Sequence, residues 1–158
     1  MSEGEGQGPA SSAAGGVGEG AGSDRDAARD PVCGIVAGHG DLAAGLVSAV
    51  AQITGRGSLF LPLSNRGLGG EQLEATLREA LARTGARLVF TDLPGGSWTI
   101  AARRVQRTEP SVVLVTGVSL PMLLDCAFHE DAPVDEAARG AVERGRGAMT
   151  VAGGEHGH

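Results

Sequence analysis

The stretch Val32-Cys33-Gly34-Ile35-Val36-Ala37-Gly38-His39-Gly40-Asp41 sets the reading of the whole chain. An apolar run of strand length ends in two glycines that flank one histidine, and a helical pattern begins immediately afterwards. Without Cβ atoms on either side, the backbone can turn sharply and leave the imidazole accessible. An imidazole offers a nitrogen lone pair at neutral pH, so His39 is a candidate nucleophile for carrying a phosphoryl group. The decapeptide alone fits a histidine that merely suits a turn at least as well. The decision falls to the rest of the chain.

Working outward, apolar runs alternate with amphipathic stretches. Val32–Gly38 is the first strand, and Leu42, Leu46, Ala49, Val50 and Ile53 share one face of a helix ending near Gly55. Ser58–Leu63 is the second strand, its Pro62 suited to a sheet edge. After a loop over Ser64–Gly70, Glu71–Thr84 reads as a helix. Its Leu73, Leu77, Ala80 and Leu81 point inward, and Glu74–Arg78 form an i,i+4 pair outside. Arg87–Asp92 is the third strand, followed by the turn Leu93-Pro94-Gly95-Gly96, with Ser97 as N-cap of a helix over Trp98–Arg107. Ser111–Thr116 is the fourth strand. Pro121–Phe128 and Asp131–Arg144 are helices, the first with Pro121 in its opening turn. Gly145–Ala152 is a weak candidate for a last short strand.

Strands separated by helices of this length make βαβ units. The expected fold is α/β, a doubly wound, mostly parallel sheet in the order 2-1-3-4 with helices on both faces. Ligands of such sheets bind beyond the carboxyl ends of the strands where strand order reverses, here between strands 1 and 3. That puts the His39 loop beside the Asp92–Ser97 loop. A histidine that attacks through one nitrogen needs the other held in a fixed tautomer, and Asp92 is the candidate to accept the Nδ1 proton. Asp92 reads equally well as a turn or capping residue. Gly95, Gly96 and Ser97 would present backbone N–H groups, a helix start and a hydroxyl to phosphate oxygens. Ser97 as a plain N-cap is the alternative.

Composition narrows the classes. The 158 residues suffice for one domain with a substantial core. Residues 1–30, dominated by Gly, Ser, Ala and acid without a period, read as a disordered tail. Residues 31–152 form the expected domain and 153–158 a loose end. Of the formal net charge of -6, Glu3, Glu5, Glu19, Asp24, Asp26 and Asp30 against Arg25 and Arg29 account for most. The domain is therefore near neutral, and no nucleic-acid surface is expected. Every basic residue is an arginine. Cys33 and Cys126 make neither a disulfide framework nor a metal pair and read as small buried thiols. His129, His156 and His158 supply no metal site, and no metal or cofactor is expected. No apolar stretch spans a bilayer and no signal peptide is recognisable, so the chain reads as cytoplasmic.

Two other chemistries compete for the same residues. Gly38-His39-Gly40-Asp41-Leu42-Ala43 formally matches the dinucleotide fingerprint G-x-G-x-x-A. The end of strand 2, however, offers Ser64-Asn65-Arg66 in place of the expected ribose-binding acid. A Ser97, His39 and Asp92 hydrolase triad lacks the G-x-S-x-G elbow.

Three motifs in order, Gly-Ile-Val-Ala-Gly-His-Gly (34–40), Phe-Thr-Asp-Leu-Pro-Gly-Gly-Ser (90–97) and Thr-Gly-Val-Ser-Leu-Pro-Met-Leu-Leu (116–124), resemble the IIA component of the mannose/fructose/sorbose-type sugar phosphotransferase system. The resemblance runs from about Val32 to Val151. It implies that His39 accepts a phosphoryl group from phospho-HPr and passes it to a IIB component on a separate chain, serving sugar uptake through the IIC and IID membrane components. It also implies that Asp92 orients His39, that Ser97 lies at the phosphate, and that the protein is a homodimer exchanging a C-terminal strand, here Ala148–Val151. Trp98, Thr99 and Ile100 depart from the pattern, which often has Pro and Asn after the serine. A regulatory phosphohistidine module that controls a partner without sugar transport is the alternative.

Overall fold

The structure is a computed structural model that describes residues 32–155. The expected tail at 1–30, His156 and His158 lie outside the described residues. Four strands form one parallel sheet: β1 (Gly34–Gly38), β2 (Phe60–Ser64), β3 (Leu88–Thr91) and β4 (Val113–Thr116), in the order β2-β1-β3-β4. Among the described residues five helices complete it: α1 (Leu42–Thr54), α2 (Gly70–Thr84), α3 (Ser97–Thr108), α4 (Leu120–Ala127) and α5 (Val134–Gly147). A short 3-10 turn, Gly57–Leu59, leads into β2. The expected class and strand order hold, and Pro62 does lie on an edge strand.

Alternation along the strands divides the core in two. Val36, Phe90 and Val115 face α1, α4 and α5, joined by Val50, Leu123 and Ala141. Ile35, Ala37 and Val89 face α2 and α3, against Leu73, Leu77, Trp98 and Val105. All five residues of β1 are buried, as expected of a central parallel strand covered on both sides. Burying a side chain such as Leu77, which is 0% exposed, contributes about 1.5–3 kcal/mol. The inward face of α2 is the one expected, and Arg78 meets Glu74 at 2.9 Å.

Several boundaries differ. β1 begins at Gly34, two residues later than expected, and β2 runs over Phe60–Ser64 because the 3-10 turn takes the preceding residues. On α1 the buried positions are Ala43 and Val50, while Leu42 and Ile53 stand exposed. The helix therefore meets the sheet along a stripe turned away from its two end residues. α5 starts only after Pro133 and continues through Gly145 and Gly147, where a strand was expected. The reason lies at Gly145: a Cβ there would come within 2.7 Å of Met122 on α4. Glycine at this position lets the two helices close up, and that contact keeps the segment helical. Ala148–Glu155 forms no strand with the described residues.

Candidate active site

The register aligns the carboxyl ends of the strands. Gly38 pairs with Ser64, Ala37 with Thr91, and Thr91 with Thr116. The residues that follow, His39, Asn65 and Asp92, are thus delivered to one edge of the sheet by three adjacent strands. His39 is exposed, and its loop is pinned from both sides. Its backbone N–H donates to Asp92 Oδ2 at 2.9 Å, and the N–H of Gly40 donates to Asn65 Oδ1 at 3.1 Å. Of the two flanking glycines only Gly40 has a left-handed backbone, with φ of 59°, a conformation that disfavours any side chain. Gly38 completes β1, as expected, and the turn follows it.

The imidazole Nδ1 of His39 lies 2.7 Å from Asp92 Oδ2. The His39 side chain is 47% exposed, whereas that of Asp92 is 9% exposed. Burial raises the pKa of Asp92, but the bonds from the His39 ring and backbone N–H, with the ring's charge, outweigh it and hold the carboxyl below its ordinary range. An ionised carboxylate only accepts hydrogen bonds. Nδ1 therefore carries the proton, and the lone pair lies on Nε2, away from Asp92. Asp92 Oδ1 is buried without a hydrogen-bond partner among the described residues.

The second loop lies against the edge of the ring. A Cβ added to Gly96 would sit 3.5 Å from His39 Cε1, the carbon between the two nitrogens. Gly96 is the N-cap of α3, and Ser97 is its first helical residue rather than the N-cap. Ile100 N–H is bonded to the Gly96 carbonyl at 3.0 Å, so the N–H groups of Ser97, Trp98 and Thr99 have no acceptor within the helix. Gly95 is exposed, with open space where a Cβ would stand. The three residues that depart from the family pattern take distinct roles. Trp98 is buried in the core. Thr99 donates to the Leu93 carbonyl at 2.5 Å and meets the Thr91 hydroxyl at 2.6 Å, tying the turn to the end of β3. Ile100 faces solvent.

The rim contains a cation that reading the chain in order missed. Arg66, just past β2, pairs with Asp41 at 3.0 Å and reaches within 3.7 Å of the position of a Cβ on Gly40. Its signal was the strand order itself, since the loop after β2 must flank the loop after β1. Leu42, at the start of α1, and Leu93, next to Asp92, stand exposed. The site is an open surface. Among the described residues no cluster of His, Cys, Asp or Glu could hold a metal ion. The arrangement can therefore present an oriented nitrogen nucleophile to another macromolecule.

Residues 34–142 match the family model described as PTS system fructose IIA component. No curated protein matches the chain. Among solved structures, the mannose/sorbose specific IIA subunit of the phosphotransferase system from Enterococcus faecalis superposes with a TM-score of 0.68 at 23% identity. That match covers 81% of this chain and 99% of that one. The phosphotransferase component EIIA from Streptococcus agalactiae gives 0.66 at 17% identity, with 76% and 96% covered. The PTS IIA protein associated with the fucose utilization operon of Streptococcus pneumoniae gives 0.64 at 21%, with 76% and 93% covered. At these identities the superpositions speak for a shared fold.

Proposed function

The chain belongs to the PTS fructose IIA family, whose members act in phosphoryl transfer, and on that premise we propose that His39 is the phosphoryl carrier. Nε2 attacks the phosphorus of phospho-HPr. The new N–P bond forms as the donor's bond breaks and the donor keeps the electron pair. A second in-line transfer hands the group to a IIB component on a separate chain, which phosphorylates sugar entering through the IIC and IID components. Asp92 orients the ring and steadies the positive charge it develops. Gly95, Gly96 and Ser97 offer N–H groups and the start of α3 to the phosphoryl oxygens, and positioning of this kind supplies most of what phosphoryl transfer needs.

One observation carries the reading: Asp92 binds Nδ1 at 2.7 Å while the other side of the ring stays open. The exposed Leu42 and Leu93 suit successive transient partners. A second copy is the other partner proposed. β4 is an edge strand bordering a groove of about 720 Å³ against α5, and Met149 and Val151 are exposed apolar residues just beyond α5. Ala148–Val151 of one subunit would pair with β4 of the other. Among the described residues no helix is long and apolar enough to cross a membrane, which suits a component working in the cytoplasm.

The test is incubation with phosphoenolpyruvate, enzyme I and HPr. Acid-labile label is expected on this chain and none on His39→Ala. Acid-stable label, or label that survives His39→Ala, would overturn the assignment. Label that forms but cannot be chased onto a IIB protein would point instead to a regulatory phosphohistidine.

A further inference from the structure

At the end of β1 remote from His39, two thiols meet. Cys33 immediately precedes the strand, with its backbone N–H held by the Leu59 carbonyl at 2.7 Å, and is half-buried. Cys126, in the last turn of α4, is 2% exposed. Both line one small cavity of about 160 Å³, together with Arg87, His129 and Glu130, and Cys33 packs directly on the core cluster that contains Cys126. The two thiols are close enough to shift each other's titration, and both border this gap.

Their environments are unequal. The neighbouring Cys126 thiol, with a smaller contribution from the Arg56 guanidinium, lowers the pKa of Cys33 against burial and the charge of Glu130. The presence of Cys33, with burial, raises the pKa of Cys126. Arg56 is itself held in place by Glu130 at 2.6 Å. A partly accessible sulfur whose pKa is lowered, with a second cysteine lining the same cavity, is the arrangement in which a sulfenic acid can be resolved to a disulfide.

We propose that Cys33 and Cys126 form a peroxide-reactive dithiol site that closes to an intramolecular disulfide. The Cys33 thiolate attacks one oxygen of hydrogen peroxide. The O–O bond breaks, hydroxide departs and is protonated to water, and Cys33 becomes a sulfenic acid. The Cys126 sulfur then attacks the Cys33 sulfur. The S–S bond forms, and the hydroxyl leaves with the Cys126 proton as a second water. Two thiols are oxidised, and one peroxide is reduced to two waters. The product ties the entrance of β1 to α4 on the side of the sheet away from the phosphoryl chemistry, so this site stands or falls independently of His39.

The test uses the full chain, reduced and then treated with hydrogen peroxide. Intact mass should fall by two hydrogens without dimerisation, and proteolysis without reductant should yield one peptide pair joining Cys33 to Cys126. In Cys126→Ser the reaction should stop at a sulfenic acid on Cys33 that dimedone traps, and Cys33→Ser should give no adduct on Cys126. In the native reduced wild type, which needs no variant to fold, alkylation should reach Cys33 at least about tenfold faster than Cys126. Crosslinks only between copies, oxidation of Cys33 beyond sulfenic acid with Cys126 left as a thiol, or equal alkylation of the two would each overturn the proposal.

Discussion

One oxygen, Asp92 Oδ2, holds both the backbone N–H and the ring Nδ1 of His39, so losing it frees the loop and the ring together. Asp92→Ala is expected to slow phosphoryl acceptance from phospho-HPr about 10–100-fold with circular dichroism unchanged, as read by single-turnover labelling. Asp92→Asn keeps the shape without the charge and should fall between that variant and wild type. The same carboxylate gives a pH signature. Its pKa is lower in the folded state than the unfolded value of about 3.9. Its stabilising effect is therefore present above that value and is lost as pH falls through the folded pKa. The gap between the urea midpoints of wild type and Asp92→Asn should be open at neutral pH and should close in strong acid. His39 and Asp92 were legible in sequence because each ends a strand and topology makes those strands neighbours. Asn65 and Arg66 were not, because their part in the site comes from the strand on the other side.

Among the elements, the join between α1 and the 3-10 turn before β2 is tight and rigid. A Cβ on Gly57 would lie 2.7 Å from Ala51 Cβ, on a helix face with no flexible side chain to yield. Gly57→Ala is expected to destabilise the fold by about 1–3 kcal/mol, and adding Ala51→Gly should recover part of the loss in a double-mutant cycle followed by urea unfolding. At the start of α3, Thr99→Val would leave the buried Thr91 hydroxyl and the Leu93 carbonyl without their shared partner. That should lower stability by about 1–3 kcal/mol and loosen the turn against the histidine ring, visible as faster amide exchange over residues 93–97. Apolar periodicity made the existence and type of these elements readable, and Leu73 through Leu81 on α2 show it at its clearest. The ends were less legible. Ser97 looks like an N-cap, yet Gly96 takes that position. Gly145 looks like a helix breaker until α4 is seen packed against it. Both outcomes were decided by contacts with other parts of the chain.

For the molecule as a whole, helix-length connections between short apolar runs limited the topology to a few choices, and the order β2-β1-β3-β4 was among them. What the sequence pattern could not assign is the C-terminal segment, for which we propose a partner on another copy. Ala148–Val151 was expected to be a strand but pairs with no strand among the described residues. If it pairs with β4 of a second subunit, ending the chain after Gly147 should convert a dimer to a monomer in sedimentation velocity. A last consequence follows from Trp98. It is the only tryptophan in a chain without tyrosine, and it is fully buried one residue after Ser97. Ultraviolet emission from this protein therefore reports on one spot, directly beneath the turn that borders His39. Phosphorylation and partner docking should each change its intensity, so the kinetics of both can be followed on unlabelled protein by its own light.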